Sequence, residues 1–361
     1  MKTPKNKTTG DARPHLLDLD EAELRAWVRD AGQPEYRAGQ IWRWLYAGRA
    51  TSLDAMSDLP RRLRDRLEES FRLWSTHVAE HKTSADGTEK YLLDLADGGR
   101  IECVLLRDGP RRSICVSSQV GCAMGCVFCA SGLDGVERNL SRGEIVEQML
   151  RLQRLLPAEE RLSHIVMMGM GEPLANLDNV LTALDVARSP TGLGISPRRI
   201  TISTVGLPAA IRRLARHAHP YHLAISLHAP NDALRNRIVP INSRVGIREI
   251  MAAADDYFAA TGRRLTFEYV LLDGINDSPQ CARQLASLLR GRVSMLNVIP
   301  YNPVAGLPYR TPDPARQLDF RDVLEAAGVN VQFRQRKGDS IDAACGQLRR
   351  NRDAADAHTT H

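Results

Sequence analysis

Lysine is scarce in this chain of 361 residues: of 49 basic residues, six are lysine and 43 are arginine. Cation chemistry therefore falls to a side chain that keeps its charge and makes forked contacts to carboxylate and phosphate. A net charge of +6 and a pI near 9.0 permit a polyanionic partner without requiring one. No uninterrupted apolar run approaches membrane-spanning length, and none follows Met1 in the manner of a secretory signal. The expectation is a cytoplasmic protein with no membrane partner. Cysteine is odd in number, with seven. An odd set without a secretory signal argues against a disulfide framework and for thiol or metal chemistry in a reducing compartment.

Four of those cysteines fall between Ser113 and Ser131. Cys122, Cys126 and Cys129 are spaced C-x3-C-x2-C, close enough for one short loop to wrap three thiolates round a single inorganic centre. A structural zinc site takes four ligands and a ferredoxin cluster takes four cysteines, so a compact set of three implies an iron–sulfur cube with one iron left open. A zinc knuckle or ferredoxin-like site with a distant fourth ligand, from Cys103, Cys115, Cys281 or Cys345, is the alternative.

The pattern divides the chain into a disordered tail over 1–13, a helical accessory domain over 14–75, a β-hairpin linker over 76–107, a core over 108–348 and a tail over 349–361. Apolar residues recur at three and four through Glu21 to Ala31, Tyr36 to Tyr46 and Leu59 to Glu69. Aromatics and Arg43 alternate along Gln40 to Tyr46; they suit either stacking on bases or the core of a small helical domain. Lys90 to Leu95 and Arg100 to Leu106 flank Ala96-Asp97-Gly98-Gly99 as a hairpin. Its alternation puts Ile101, Cys103 and Leu105 on one face and Glu102 on the other, as either a solvated strand carboxylate or a buried base, and pattern alone favours the solvated one.

Six β-type runs follow, at Ser113 to Val116, Ile165 to Met168, Arg199 to Ser203, Leu223 to Leu227, Thr266 to Leu271 and Met295 to Ile299, each succeeded by a helical stretch. Six βα units predict an α/β fold with a parallel sheet curled into a partial (β/α)6 barrel, a flat doubly wound sheet being the competitor. Chemistry in such barrels collects at the C-terminal strand ends. There the sequence offers Gly169-Met170-Gly171-Glu172-Pro173, Ser203-Thr204, Ser226-Leu227-His228 and the proline-flanked Asn302. Recurrence of polar residues at successive strand ends favours a polar cofactor site. Cys345, in Asp342-Ala343-Ala344-Cys345-Gly346, sits in a small-residue setting that lets a backbone approach a substrate, or is an inert thiol.

The cysteine spacing, with Phe128 just before the last cysteine, resembles the signature of radical S-adenosylmethionine enzymes. With Arg138-Asn139-Leu140, Met167 to Pro173, Ser226 to Asp232, Val239 to Asn242 and Asp342 to Leu348, the chain resembles the RlmN-type family from roughly Leu19 to Leu348. Ser131 and Tyr301 depart from residues common in that family, outside the proposed chemistry. The resemblance implies methylation of C2 of a specific adenine in 23S rRNA, at the peptidyl transferase centre, and of the adenine 3′ to the anticodon in some tRNAs. It implies one 4Fe–4S cluster on Cys122, Cys126 and Cys129, and two S-adenosylmethionine molecules per turnover. Gly171, Glu172, Ser203, Ser226, Leu227, His228 and Asn302 match positions that hold S-adenosylmethionine. Cys345 matches the thiol that accepts a methyl group and loses a hydrogen to a 5′-deoxyadenosyl radical. Cys115 matches the thiol that releases product through a transient disulfide. Glu102 matches the proton acceptor, which reverses the solvated reading of that strand position. An external electron donor such as flavodoxin is implied as a partner, and phosphate contacts are expected from the helical domain and Arg336-Lys337. Shared motifs leave open a Cfr-type relative acting at adenine C8. The rivals from other classes are a non-catalytic metal-binding RNA protein and a glycyl-radical activating enzyme.

Overall fold

The computed structural model describes residues 13–334 and 349. Cys345, Arg336, Lys337 and most of both expected tails lie outside the described residues. Arg349, expected to open the C-terminal tail, is buried.

Three helices come first: α1, Glu21–Asp30, α2, Tyr36–Tyr46, and α3, Arg61–Ser70. Asp20 starts α1 with a reciprocal cap, its carboxylate accepting from the Glu23 N–H at 2.8 Å while Glu23 accepts from the Asp20 N–H at 2.7 Å. Leu24 and Val28, then Ala38, Ile41, Trp42, Leu45 and Tyr46, then Leu63 and Leu67 form one buried stripe per helix. Trp42 and Tyr46 pack 4.7 Å apart, centroid to centroid, inside that module. They are core side chains rather than platforms for bases.

Next come β1, Thr76–Thr83, β2, Glu89–Leu95, β3, Arg100–Asp108, and β4, Arg111–Cys115, followed by a two-stranded ribbon of β5, Gln119–Gly121, and β6, Val136–Asn139. The chain then alternates through α4, Arg142–Gln153, β7, His164–Met167, α5, Leu177–Arg188, β8, Ile200–Thr204, α6, Pro208–Ala215, and β9, His222–Ser226. It continues with α7, Asp232–Ile238, α8, Ile247–Thr261, β10, Leu265–Leu271, α9, Pro279–Leu289, β11, Ser294–Pro300, α10, Pro314–Ala326, and β12, Val331–Phe333.

One ten-stranded sheet holds all strands except the ribbon. Its first four strands are antiparallel neighbours; β4 then pairs in parallel with β7, and β8 to β12 follow in chain order. Parallel crossovers are right-handed, so strands always added on one side keep their helices on one face and curl the sheet. A doubly wound sheet must reverse its order to cover both faces. The unreversed order decides for the partial barrel, which stays open: among the described residues no ladder joins β12 to β1.

The segment expected as a hairpin linker is larger. β1 adds an edge strand, β4 closes the other side, and the four strands are continuous with the barrel sheet. Both faces of β3 are covered: Ile101, Cys103 and Leu105 pack in the main core, Glu102 on the other face meets Lys90 and the Arg349 N–H, and all of residues 101–105 are buried. The solvated position expected for Glu102 from alternation alone is thereby overturned.

Glu147 of α4 fixes the helical module to the core. Its fully buried carboxylate accepts from His15 Nε2 at 2.9 Å, from the Ser75 N–H and hydroxyl at 2.8 and 2.7 Å, and from the Thr76 N–H and hydroxyl at 3.1 and 2.6 Å. Arg151 Nε completes the set at 2.9 Å. One turn earlier Gly143 donates to Asp18 at 2.6 Å, and a Cβ there would lie 2.9 Å from Asp18 and His15. Trp74 lies under the guanidinium groups of Arg151 and Arg154, 5.0 and 4.1 Å from the ring. Deleting the module would therefore strip the cover from α4.

Burial alone would raise the Glu147 carboxyl, but the hydrogen bond and charge of His15, with Arg151 and Thr76, outweigh it and pull it down to about 2 from 4.5. A carboxylate depressed in the folded state stabilises above its unfolded pKa and loses that contribution as pH falls from about 4.5 toward 2; here it is about 3 kcal/mol. In urea unfolding, Glu147→Gln should be less stable at pH 7 and should lack this part of the acid dependence. Identical pH slopes for the two proteins would refute the assignment.

Candidate cofactor site at the strand ends

At the C-terminal ends of β4 and β7 two loops press together. Gly169 lies so close to the next strand that a Cβ would stand 2.6 Å from the Val116 carbonyl and 2.7 Å from the Ser117 nitrogen. Gly171 has φ +98°, and its Cβ would stand 2.6 Å from that of Gln119. Both glycines are required by this close approach. Hydrogen bonds hold it: the Met170 N–H donates to Ser117 Oγ at 2.8 Å, Ser118 and Gln119 N–H groups donate to the Met170 carbonyl at 2.8 and 3.2 Å, and the Glu172 N–H donates to Gln119 Oε1 at 2.8 Å. The space beside Gly171 is thus filled by the protein itself.

Glu172 is buried and reaches across to the end of β8. Its two oxygens accept from the Leu174 and Val205 N–H groups at 3.0 and 2.8 Å. Burial raises its carboxyl, partly offset by Val205, Thr204 and Leu174.

The cysteine loop follows the ribbon strand β5. It is pinned by the Cys122 N–H to the Gly135 carbonyl at 2.8 Å and by the Val127 N–H to the Ile238 carbonyl of α7 at 3.1 Å. Cys122, Cys126 and Cys129 are half-exposed. Burial, then the neighbouring Cys129 and Cys122, push the Cys126 thiol well up; burial also pushes Cys122 up to about 12, against a Met124 N–H. Among the described residues no three ligands converge closely enough for a single metal ion; soft sulfur donors become thiolates when a cationic centre binds them, and their chemistry suits the larger iron–sulfur cluster. Cys126 and Cys129 pack against Phe128, Ala130, Val205, Leu234 and Ile238, whereas Cys103 packs in the main core.

The third and fourth strand ends meet at Ser203 and Ser226, whose hydroxyls are 3.4 Å apart. Leu227 is buried in the main core, its N–H donating to Glu268 and its carbonyl accepting from Arg235 at 2.9 Å. It offers no uncommitted N–H. His228 is buried at φ +59°, edge-on to Phe128 at 5.0 Å, with Nδ1 accepting from the Val270 N–H at 3.1 Å. Burial, then Arg235, push its imidazole down to about 3. Asn276 holds this turn by donating to the His228 and Val270 carbonyls, both at 2.8 Å. Asn302 is half-buried beyond β11, at the same end of the barrel but without a hydrogen bond to the other expected residues among those described.

Glu102 and Cys115 lie on adjacent strands, β3 and β4. Lys90 Nζ is 2.8 Å from Glu102 Oε2, both groups fully buried, and the Arg349 N–H donates to Glu102 Oε1 at 2.7 Å. Sequence reasoning missed Lys90, Arg235, Glu268 and Asn276. A signal existed for Lys90: the hairpin register sets it opposite Val104 and Leu92 opposite Glu102, so Lys90 and Glu102 are diagonal on one face.

Two family models match, the radical SAM superfamily over residues 116–283 and the ribosomal RNA large subunit methyltransferase N-terminal domain over residues 14–73. The chain is 67% identical to a probable dual-specificity RNA methyltransferase RlmN of Rhodopirellula baltica, covering 98% of this chain and 95% of that one. It is 46% identical to the dual-specificity RNA methyltransferase RlmN of Syntrophobacter fumaroxidans over 92% of this chain and 97% of that one. The crystal structure of a radical SAM methyltransferase from Sphaerobacter thermophilus superposes with a TM-score of 0.90 at 44% identity, covering 92% of this chain and 98% of that one. Superfamily membership implies S-adenosylmethionine and a 4Fe–4S cluster at the strand ends. With relatives this similar along nearly its whole length, the chain belongs to the RlmN family of dual-specificity RNA methyltransferases within the radical SAM superfamily.

Proposed function

We propose that the chain methylates adenine C2 in 23S rRNA and in tRNA by way of a carbon carried on Cys345. The observation that supports this best is the contact of the Arg349 N–H with Glu102. It brings the chain four residues beyond Cys345 to a buried carboxylate whose neighbouring strand carries the buried thiol of Cys115.

Adenine C2 lies between two ring nitrogens and is electron-poor, so an electrophilic methyl finds no nucleophile there. Cys345 is the better nucleophile and takes the methyl of a first S-adenosylmethionine. Cys122, Cys126 and Cys129 would hold the cluster, which when bound would supply one electron for cleaving a second S-adenosylmethionine and so give access to abstraction of a hydrogen atom from the methyl on Cys345. Gly171, Glu172, Ser203, Ser226, Leu227, His228 and Asn302 line or shape the pocket for that second molecule. After the carbon on Cys345 joins C2, the adduct gives its odd electron back to the one-electron acceptor that started the cycle, and Glu102 takes the proton that leaves C2. The Cys115 thiolate then attacks the Cys345 sulfur; the carbon–sulfur bond breaks with its electron pair on the carbon, which takes a proton to become the methyl group, and a Cys115–Cys345 disulfide forms that a two-electron thiol reductant must reopen. An external one-electron donor such as flavodoxin serves the cluster. Arg43, Arg61 and Arg62, exposed on α2 and α3, with Arg336 and Lys337, contact RNA phosphate. Reaching C2 requires unstacking the base, which costs a few kcal/mol and favours flexible loops.

The test is anaerobic incubation of reconstituted protein with reductant, labelled S-adenosylmethionine and deproteinised RNA, with the product nucleoside identified by mass spectrometry. Label at C2 is expected; label at C8 would replace this reading with the Cfr-type one. Cys115→Ala should accumulate protein crosslinked to RNA, whereas Cys345→Ala should give neither crosslink nor product. Methylated RNA from Cys345→Ala would remove the carrier role.

The Lys90–Glu102 pair gives a separate expectation. Lys90→Met removes the cation 2.8 Å from the buried Glu102 carboxylate and should lower stability by about 3–5 kcal/mol, read by thermal or urea unfolding. Adding Glu102→Gln should restore most of the loss. A single variant as stable as the parent would show that the pair does not hold the carboxylate.

A further inference from the structure

Arg235 of α7 is among the largest fully buried side chains of the molecule. Its guanidinium donates to four acceptors, all neutral: the Leu227 carbonyl at 2.9 Å, Asn242 Oδ1 at 2.7 Å, and the Val205 and Ser226 carbonyls at 2.5 and 3.1 Å. Among the described residues no carboxylate stands within ion-pair distance. The only acid in the network is Asp232, one step removed, whose Oδ1 accepts from Asn242 Nδ2 at 2.9 Å. A buried cation left without a direct counter-charge is costly, and the hydrogen bonds satisfy its donors without cancelling its charge.

The cysteine loop lies against the same helix. Leu234 and Ile238, on either side of Arg235 in sequence, pack with Phe128 and Ala130, against which Cys126, Val127 and Cys129 also pack. The Val127 N–H bonds to the Ile238 carbonyl, and Gly125 abuts Pro240 just beyond α7.

We propose that Arg235 is a positioning residue that acts through its fixed charge, setting the reduction potential of the cluster held by Cys122, Cys126 and Cys129. This rests on the cluster assignment proposed above. Three thiolates round a dicationic four-iron core leave one net negative charge, and the electron from the donor adds a second. A cation fixed beside that site stabilises the reduced state more than the oxidised one, and so raises the potential. By gripping the carbonyls that follow β8 and end β9, the same guanidinium keeps its charge at a constant distance from the loop.

The experiment is a redox titration of reconstituted full-length protein under nitrogen, with dithionite as reductant and the reduced cluster followed by electron paramagnetic resonance. Arg235→Gln should keep iron and sulfide but shift its midpoint downward by about 59 mV or more, a tenfold change in a one-electron equilibrium. Arg235→Lys, which keeps the charge and loses the fork, should recover most of that shift. Asp232→Asn, at an exposed position, removes the negative charge behind Asn242 and should shift the midpoint upward. Midpoints of Arg235→Gln and Asp232→Asn equal to the parent's would overturn the proposal. Should Arg235→Gln fail to hold a cluster, an unchanged Asp232→Asn midpoint overturns it alone. A parent protein that binds no iron would instead sink the cluster assignment itself.

Discussion

The close approach of two backbones at the ends of β4 and β7 is the constraint on which the site depends. Gly169 and Gly171 meet residues 116–119 at distances that leave no room for a side chain. That contact sets where Glu172 begins, and Glu172 in turn reaches the β8 end through Val205. From Val205 the grip passes to Arg235, and through α7 to the cysteine loop. Each strand end is thus located by its neighbours through buried hydrogen bonds, which positions polar groups more rigidly than separate loops would.

The second organising contact lies away from the chemistry. Glu147 gathers His15, Ser75, Thr76 and Arg151 round one carboxylate, so the helical module and the core meet through a polar hub rather than an apolar seam alone. Such a hub is fully satisfied or costly, and it fixes one orientation. A module held this way presents its exposed arginines at a constant angle to the barrel.

Much of this was legible in the sequence because the elements are long and periodic. The six βα units, the three helices ahead of them and the cysteine loop announced themselves by spacing. β1 did not, because His77, Glu80, His81 and Lys82 dilute the apolar alternation of an edge strand. α7, with seven residues, is too short to show a helical period, yet it carries Arg235. Alternation misassigned Glu102 because the face it points to is covered by Lys90 and by residue 349 from the far end of the chain. The glycines of residues 169–173 showed in the sequence as a strand-end motif, which did not reveal that Val116, Ser117 and Gln119 fill the space beside Gly169 and Gly171. What the sequence conceals in each case is a partner distant along the chain.

The imidazole of His228 shows what such placement implies for chemistry. With Nδ1 taken by a main-chain donor, its proton resides on Nε2, and a single tautomer is enforced. Held neutral by its apolar surroundings, the ring can only give a hydrogen bond outward and never receive one. A partner for Nε2 must bring a lone pair, and acidification across the physiological range leaves that requirement unchanged.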